Sequence, residues 1–297
     1  MITFNRAAML MNAIDSLFAQ QTQGLFSLEV VVVDDGSTDG TSEVVERLAA
    51  TAPVPVRFAR QENQGVGSAR NRSVREAEGE WIAFFDDDQI ASAEWLYHLY
   101  RTAMDTGAVC VGGPVKLLLP EDCPIPPVGT VRKLLGENPL MSTEPTLLRH
   151  LDPRSAGLAI PGTGNALVSR EVFWTLGGFE AGGRYGEDFQ FFRKLVRGGC
   201  RLAIAPEASV QHVIPPERMD ARFLLPLARR DARVRAENDR NELRFSRVAA
   251  LAALRLVHLC WTVPTFSLAV LMKKKDVLLA KRCSIAFCLQ YLRALVF

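Results

Sequence analysis

Residues 30–41 read Val-Val-Val-Val-Asp34-Asp35-Gly36-Ser37-Thr38-Asp39-Gly40-Thr41, and no other stretch limits the fold of this chain as tightly. Four β-branched residues in a row suit a strand buried on both faces, as in a parallel sheet. The strand ends in two carboxylates and a Gly/Ser/Asp turn, and a helical run follows at 42–50. Ligands of open α/β sheets bind beyond the carboxyl ends of the strands. Two acids there are costly unless a metal, a base edge or a ribose hydroxyl pairs with them. The alternative is a surface turn with solvated aspartates.

A second junction of the same kind follows. Trp81-Ile82-Ala83-Phe84-Phe85 is another buried-strand pattern, and it runs into Asp86-Asp87-Asp88. Three adjacent carboxylates repel one another and call for a cation. Mg²⁺ or Mn²⁺ suits them, because hard divalent ions take carboxylate oxygens and keep positions open for substrate phosphates. Two strand-to-acid junctions in one α/β layer weigh against a merely solvated turn.

The remaining pattern alternates strands and helices, which predicts a parallel sheet covered by helices. Helices are expected at 7–20, 42–50, 67–78, 94–106, 170–176 and 188–198. Strands are expected at 30–33, 54–60, 81–85, 109–115, 166–169, 202–205 and 210–213. Residues 120–161 are proline-rich and without a clean period, so they read as an irregular, functional wall on the acceptor side. The pair Gly182-Gly183 reads as a flexible turn before Glu187-Asp188. Trp81, Phe84, Phe85 and Trp95 read as core.

Several of these segments together resemble a known family. The DDGSTDGT junction, Gln64-Gly65-Val66-Gly67-Ser68-Ala69-Arg70-Asn71 and Phe84-Phe85-Asp86-Asp87-Asp88 come in an order and spacing similar to family 2 glycosyltransferases. The similarity continues through Gly162-Thr163-Gly164-Asn165, Leu176-Gly177-Gly178-Phe179, Gly186-Glu187-Asp188, Ala205-Pro206-Glu207 and His212. The resemblance covers roughly residues 1–215. It implies the GT-A, Rossmann-like α/β fold, with a mostly parallel central sheet flanked by helices. It also implies transfer of a sugar from a nucleotide-diphospho-sugar donor, a UDP-sugar by default, to a glycan or glycolipid acceptor. Relatives usually begin with a full apolar strand, whereas only Met1-Ile2 precede Thr3-Phe4-Asn5-Arg6 here; the first strand is nearly absent, and a start lying upstream is expected.

Sugar transfer assigns roles to these residues. The leaving diphosphate gains charge, which a divalent ion stabilises directly. Asp88 is the first metal ligand, with Asp86 or Asp87 touching the ribose or the ion. Asp34 and Asp35 suit the base and ribose, since carboxylates accept N–H and O–H donors. Thr3, Asn5, Arg6, Arg70 and Asn165 join the donor site by the resemblance; a late histidine completes the metal shell in some GT-A enzymes, which makes His212 a candidate ligand, with a structural histidine beside an apolar strand as the alternative. The acceptor hydroxyl needs a general base. The Glu187-Asp188 pair fits, and the resemblance points to Asp188; helix capping is the bland alternative. One base and direct displacement imply inversion. Gln190 and Arg193 lie too close to Asp188 to form the downstream signature of processive relatives, so one sugar per encounter is expected.

Charge separates the chain into two parts. Residues 1–212 carry 19 Lys/Arg against 26 Asp/Glu, and residues 213–297 carry 16 against 7. The expected division is a catalytic domain at 1–215 and a basic, apolar helical tail at 216–297. The tail suits an anionic surface, and its Leu, Ala and Val content argues against nucleic acid. Arg240, Arg244, Arg247, Arg255 and His258 fall on one face of a continuous helix. The uncharged run from Leu259 to Met272 is shorter than the roughly 20 residues of a bilayer span. An interfacial helix on anionic lipid is therefore preferred, ahead of a short hairpin dipping into the bilayer or a packed helical subdomain. Six cysteines without CxxC spacing read as reduced thiols, which places the chain in the cytoplasm, peripheral on the inner face of the cell membrane. A haloacid-dehalogenase-type phosphatase is disfavoured because its second aspartate would fall on Gly36. A nucleotidylyltransferase lacks its Gly-rich basic loop here, and a silent membrane-associated scaffold would not need the full set of acids.

Overall fold

The valine run forms β2 (Val30–Asp34), with Val32 and Val33 fully buried. It lies parallel between β1 (Ile2–Thr3) and β3 (Val56–Arg60), with Val33 opposite Ile2 and Val32 opposite Phe58. This computed structural model describes the chain except for residues 124, 141–142, 149–160, 181–185 and 297. The expected Gly182-Gly183 turn lies outside the described residues. The chain divides into two compact units, Met1–Lys116 with Asn138–Val213, and Leu117–Glu137 with Ile214–Phe297.

In the first unit a second sheet has the order β4 (Trp81–Phe85), β9 (Asn165–Ser169), β6 (Cys110–Gly112), β10 (Leu202–Ile204) and β8 (Thr146–Leu148). The β6–β10 pair is parallel, as in the sheet around β2, whereas β9 enters antiparallel between β4 and β6 and β8 closes the far edge antiparallel. A short β5 (Gln89–Ala91) pairs antiparallel with β11 (Val210–Val213), setting His212 opposite Gln89. The expected strand at 109–115 is two strands, β6 and β7 (Val115–Leu118).

Helices cover both faces. On one side α1 (Ala7–Phe18) buries Leu10, Ala13, Ile14 and Leu17, the i, i+3, i+4, i+7 stripe of an amphipathic helix. With α2 (Thr41–Ala50) and α4 (Trp95–Thr106) it shares a core containing Val32, Val45, Trp95 and Leu99. On the other side α3 (Val66–Glu76), α6 (Arg170–Thr175) and α7 (Glu187–Arg197) enclose an aromatic cluster. Its rings, Phe84, Phe173, Phe179, Phe191 and Phe192, stand 5.0–5.9 Å apart in tilted or edge-on pairs.

A cavity of about 460 Å³ lies between Leu28, Glu29 and Val31 on one side and Trp81–Phe84 on the other, with Met1 at its end. Parallel pairing alternates. Val30 N–H bonds toward β3 at Pro55, while Val33 and Asp35 bond toward β1 at Met1 and Thr3. By the same alternation Val31 N–H points to the β1 side, where the cavity lies.

The second unit takes α5 (Thr130–Leu134), a 3₁₀ turn (Pro216–Met219), α8 (Ala221–Glu242), α9 (Phe245–Leu271) and α10 (Lys275–Val296). Of the segment 120–161, read in sequence as an acceptor-side wall, residues 120–137 belong to this unit, within Leu117–Glu137: Val131 and Leu135 share a core with Leu224, Ala228 and Cys283. Small residues Ala228, Ala232 and Ala236 recur every fourth position of α8 and are fully buried. The three long helices are pinned by polar contacts. Tyr291 donates to Asp239 at 2.8 Å, and the Arg255 guanidinium lies 5.2 Å from the ring centres of both Phe287 and Tyr291. The expected continuous basic stripe is thereby corrected: the helix breaks at 243–244, so Arg240 belongs to α8, and Arg255 turns onto the aromatic rings of α10. Among the described residues, α9 alone is long and apolar enough to cross a membrane, with mean hydropathy 1.5.

Candidate active site

The ends of β2 and β4 carry the acidic clusters; of the two aspartates at the end of β2, Asp34 braces its own loop and Asp35 the loop after β3. Asp34 is fully buried; it accepts Ser37 N–H and Ser42 O–H, both at 2.8 Å, with Arg60 Nε 3.6 Å away. Asp35 accepts Gln61 Nε2 at 2.7 Å and the backbone N–H groups of Gln64 and Gly65 at 3.0 Å. It thus ties the end of β2 to the turn that opens α3. The loop after β1 is braced similarly. Asn5, at φ 52°, donates its N–H to Ser37 Oγ and accepts Thr38 N–H, both at 2.8 Å.

Arg70, on α3, is the hinge of the site. Its guanidinium donates to Glu187 Oε1 at 2.6 Å and to Asp86 Oδ1 at 3.2 Å, and it stands 5.9 Å from the Phe179 ring centre. Two residues 117 apart in sequence are joined by this contact. The next residue holds the same wall: Asn71 donates to Phe179 C=O at 2.8 Å and accepts Phe179 N–H at 3.0 Å. Sequence reading singled out Asn71 and Phe179 only as motif letters; an amide three residues past a Ser/Ala helix start, paired with a Gly-Gly-Phe turn, was the available signal. Gly67 and Gly164 are needed for close approach. A Cβ on Gly67 would lie 2.4 Å from Glu180 O, and one on Gly164 would lie 2.9 Å from Gln89 Nε2 and 3.1 Å from Asp86 Oδ2.

At the end of β4 the three aspartates diverge. Asp86 faces Arg70. Asp87 sits by Thr3 and Arg6: burial pushes its pKa up to about 7, against the pull of the Thr3 hydroxyl, and the neighbouring Asp88 charge pushes the same way. Burial likewise raises the pKa of Asp86 and of Glu187, opposed in each case by Arg70. Asp88 is buried, with Oδ2 3.3 Å from His212 Nε2 and 3.9 Å from Arg6 Nη1. The β5–β11 pairing delivers His212 to that position, and Val213 N–H donates to Asp88 C=O at 2.8 Å.

A carboxylate and an imidazole this close form a suitable pair of divalent-metal ligands. Among the described residues no group of three His, Cys, Asp or Glu is gathered for a metal. Asp86, expected as a further ligand, is held instead by Arg70. A pair still fits an ion that completes its shell with phosphate oxygens and water.

Asn165 needs correction more plainly. It was expected at the donor, but it is 1% exposed and its amide is used in the interior. Nδ2 donates to Pro114 and Ala208 carbonyls at 3.0 and 2.8 Å, and Oδ1 accepts Trp95 Nε1 at 2.7 Å. It locks β9 rather than a ligand. Asp188 lies in the first turn of α7 beside Glu187, where the helix N-terminus favours negative charge. Its Oδ1 accepts Phe189 N–H at 2.6 Å.

Comparison with known proteins bears on the family and the fold. The chain resembles the succinoglycan biosynthesis protein ExoM of Rhizobium meliloti (strain 1021), 28% identical over 212 residues, which are 70% of this chain and 64% of the relative. It therefore spans a little under two thirds of that relative's length. The putative glycosyltransferase EpsH of Bacillus subtilis (strain 168) is 33% identical over 104 residues, 34% of this chain and 28% of EpsH. Among solved structures, mannosyltransferase PcManGT from Pyrobaculum calidifontis, in complex with GDP-Man and Mn²⁺, superposes with a TM-score of 0.63 at 20% identity, covering 98% of this chain and 85% of that one. GalNAc-T7 with UDP, GalNAc and Mn²⁺ gives 0.56 at 19% identity, covering 77% and 46%. These two likenesses establish the shared fold. The family model described as glycosyl transferase family 2 matches residues 1–177, and the chain belongs to that family.

Proposed function

We propose that this chain transfers one sugar from a nucleotide-diphospho-sugar to an acceptor hydroxyl with inversion at the anomeric carbon, in the synthesis of an envelope polysaccharide or glycolipid. The observation that carries the reading is the Arg70 bridge. It brings the acidic end of β4 and the acidic start of α7 to one place, where a donor diphosphate and an acceptor hydroxyl both need acids and cations. Asp88 and His212 would hold a divalent ion, Mn²⁺ or Mg²⁺. Such an ion, when bound, neutralises charge on the leaving diphosphate.

This chain's own groups supply the rest. Thr3, Arg6 and Asp87 stand at the donor side of the ion pair, and Asp34, Asp35 and Asn5 hold the loop that frames it. Glu187 is committed to Arg70 and serves as a positioning residue. Asp188, its neighbour, is then the carboxylate left to take the proton from the acceptor hydroxyl. The names of ExoM and EpsH support a saccharide product, and UDP is the default nucleotide. The second unit sits on lipid through α9, peripheral on the cytoplasmic face. Leu254, Val257, Trp261, Leu268 and Leu271 form one outward, exposed stripe, and the excess of Lys/Arg over Asp/Glu suits an anionic surface.

Two variants separate binding from chemistry. Thermal shift with UDP, GDP and dTDP in Mn²⁺ identifies the nucleotide, because a ligand of the folded state stabilises it by mass action. Asp188→Asn should keep that shift but lose release of free nucleoside diphosphate by about 10²-fold or more. Asp88→Asn should lose the Mn²⁺-dependent shift itself. An Asp188→Asn enzyme at wild-type rate, or a nucleotide shift indifferent to EDTA and to Asp88→Asn, would remove the assignment.

A further inference from the structure

The second unit contains a groove that the transfer reaction does not use. Its volume is about 620 Å³, inside the range of roughly 300–1,000 Å³ typical of small-molecule sites. Its walls are apolar: Ile125, Met219, Leu278 and Leu279 line it, together with Cys123, whose Sγ lies 3.9 Å from Met219 Sδ. Four charged side chains also line it: Lys275 and Arg282 from α10, and Asp122 and Asp220 from the segments opposite. All four are exposed, and no ion pair joins them among the described residues. Asp220 Oδ1 accepts Phe223 N–H at 2.9 Å as the cap of α8.

The groove also has a defined place along the chain. Its α10 wall begins at Lys275, four residues after α9 ends at Leu271. Lys273-Lys274-Lys275 directly follow the apolar helix, and lysines in that position reach for the headgroup level of a bilayer. An apolar slot opening at that level, rimmed by two cations and two anions, matches an amphiphile whose head carries one charge of each sign.

We propose that this groove holds one acyl chain of a zwitterionic phospholipid of the phosphoethanolamine class, its phosphate against Lys275 and Arg282 and its ammonium against Asp122 and Asp220. The proposal rests on the reading that α9 meets lipid. It assigns the second unit a specific lipid site in addition to a general apolar surface.

The test uses the full chain in detergent, titrated separately with dioleoyl-phosphatidylethanolamine, dioleoyl-phosphatidylglycerol and undecaprenyl phosphate, with occupancy read by native mass spectrometry. One phosphatidylethanolamine per chain should bind, about tenfold tighter than either anionic lipid. Leu278→Trp, which fills the groove, should lower that occupancy at least tenfold while leaving the thermal midpoint and vesicle pelleting unchanged. Asp122→Asn should erase the preference for phosphatidylethanolamine over phosphatidylglycerol. Equal or tighter binding of an anionic lipid by the wild type, or full occupancy in a folded Leu278→Trp protein, overturns the proposal. Because occupancy is read in detergent, failure to pellet with vesicles while phosphatidylethanolamine still binds would strike the reading of α9 alone.

Discussion

Arg70 shows how a single side chain joins sequence motifs that look independent. Its side chain is 11% exposed and that of Glu187 is 7%, so truncating it strands a buried carboxylate. Breaking a buried pair from one side costs about 3–5 kcal/mol. Arg70→Met should therefore lower the unfolding free energy, read from denaturant melts, by that amount, and adding Glu187→Gln should restore most of the loss. Equal stability of the single and double variants would show that the two groups are not coupled. Asn165 makes the complementary case. Asn165→Ala removes the partner of Trp95 N–H and of the Ala208 carbonyl, while Pro114 C=O keeps Val210 N–H at 3.1 Å; each group left unpaired costs about 1–3 kcal/mol, and the variant should unfold at lower denaturant with the nucleotide shift unchanged. A selective loss of nucleotide affinity at full stability would return Asn165 to the donor site. From the sequence these two looked alike, as polar residues in motifs. Only the backbone that surrounds them separates a bridge at a site from a bracket in the core.

At the scale of elements, runs such as Val30–Asp34 and Trp81–Phe85 were legible because burial on both faces demands apolar side chains at every position. Their acidic ends were read as a candidate site because ligands of open α/β sheets bind beyond the carboxyl ends of the strands. The direction of β9 was not legible, since Asn165–Ser169 is as uniformly buried antiparallel as it would be parallel. Nor was the pairing of Thr146–Leu148 with β10, three residues in a proline-rich stretch. A cavity lies beside Val31, with Met1 at its end. An extended segment preceding Met1 would bond Val31 N–H and bury apolar area at about 25 cal/mol per Å². Fusing four Val/Ile-rich residues before Met1 should therefore raise the thermal midpoint by several degrees. A midpoint unmoved or lowered by that extension would mean the cavity does not accept a strand.

At the scale of the whole chain, composition predicted a basic, apolar C-terminal part, but not that it would recruit residues 117–137. Those residues are apolar at Leu117, Val131 and Leu135 with no period to announce a partner, and their core is completed by α8 and α10. Deleting the C-terminal helices would consequently uncover Val131 and Leu135, so truncation is a poor test of lipid binding. Surface substitution is a better one. α9 turns Val248, Leu251, Arg255, Thr262 and Ala269 inward and leaves Leu254, Val257, Trp261, Leu268 and Leu271 outside, with Trp261 73% and Leu271 80% exposed. The outward residues lie outside the buried apolar clusters of the unit. Replacing Val257, Trp261 and Leu271 together by serine should leave the helical content and thermal midpoint as they are. Sedimentation with vesicles of phosphatidylethanolamine and phosphatidylglycerol should fall sharply, and nucleotide binding should persist. High salt should release the wild type only in part, since it screens Lys/Arg attraction, worth about 1 kcal/mol per residue at an anionic surface, but not apolar burial. If the triple variant sediments as well as the wild type, α9 is not the surface that meets lipid; if it unfolds, the stripe belongs to a packed core.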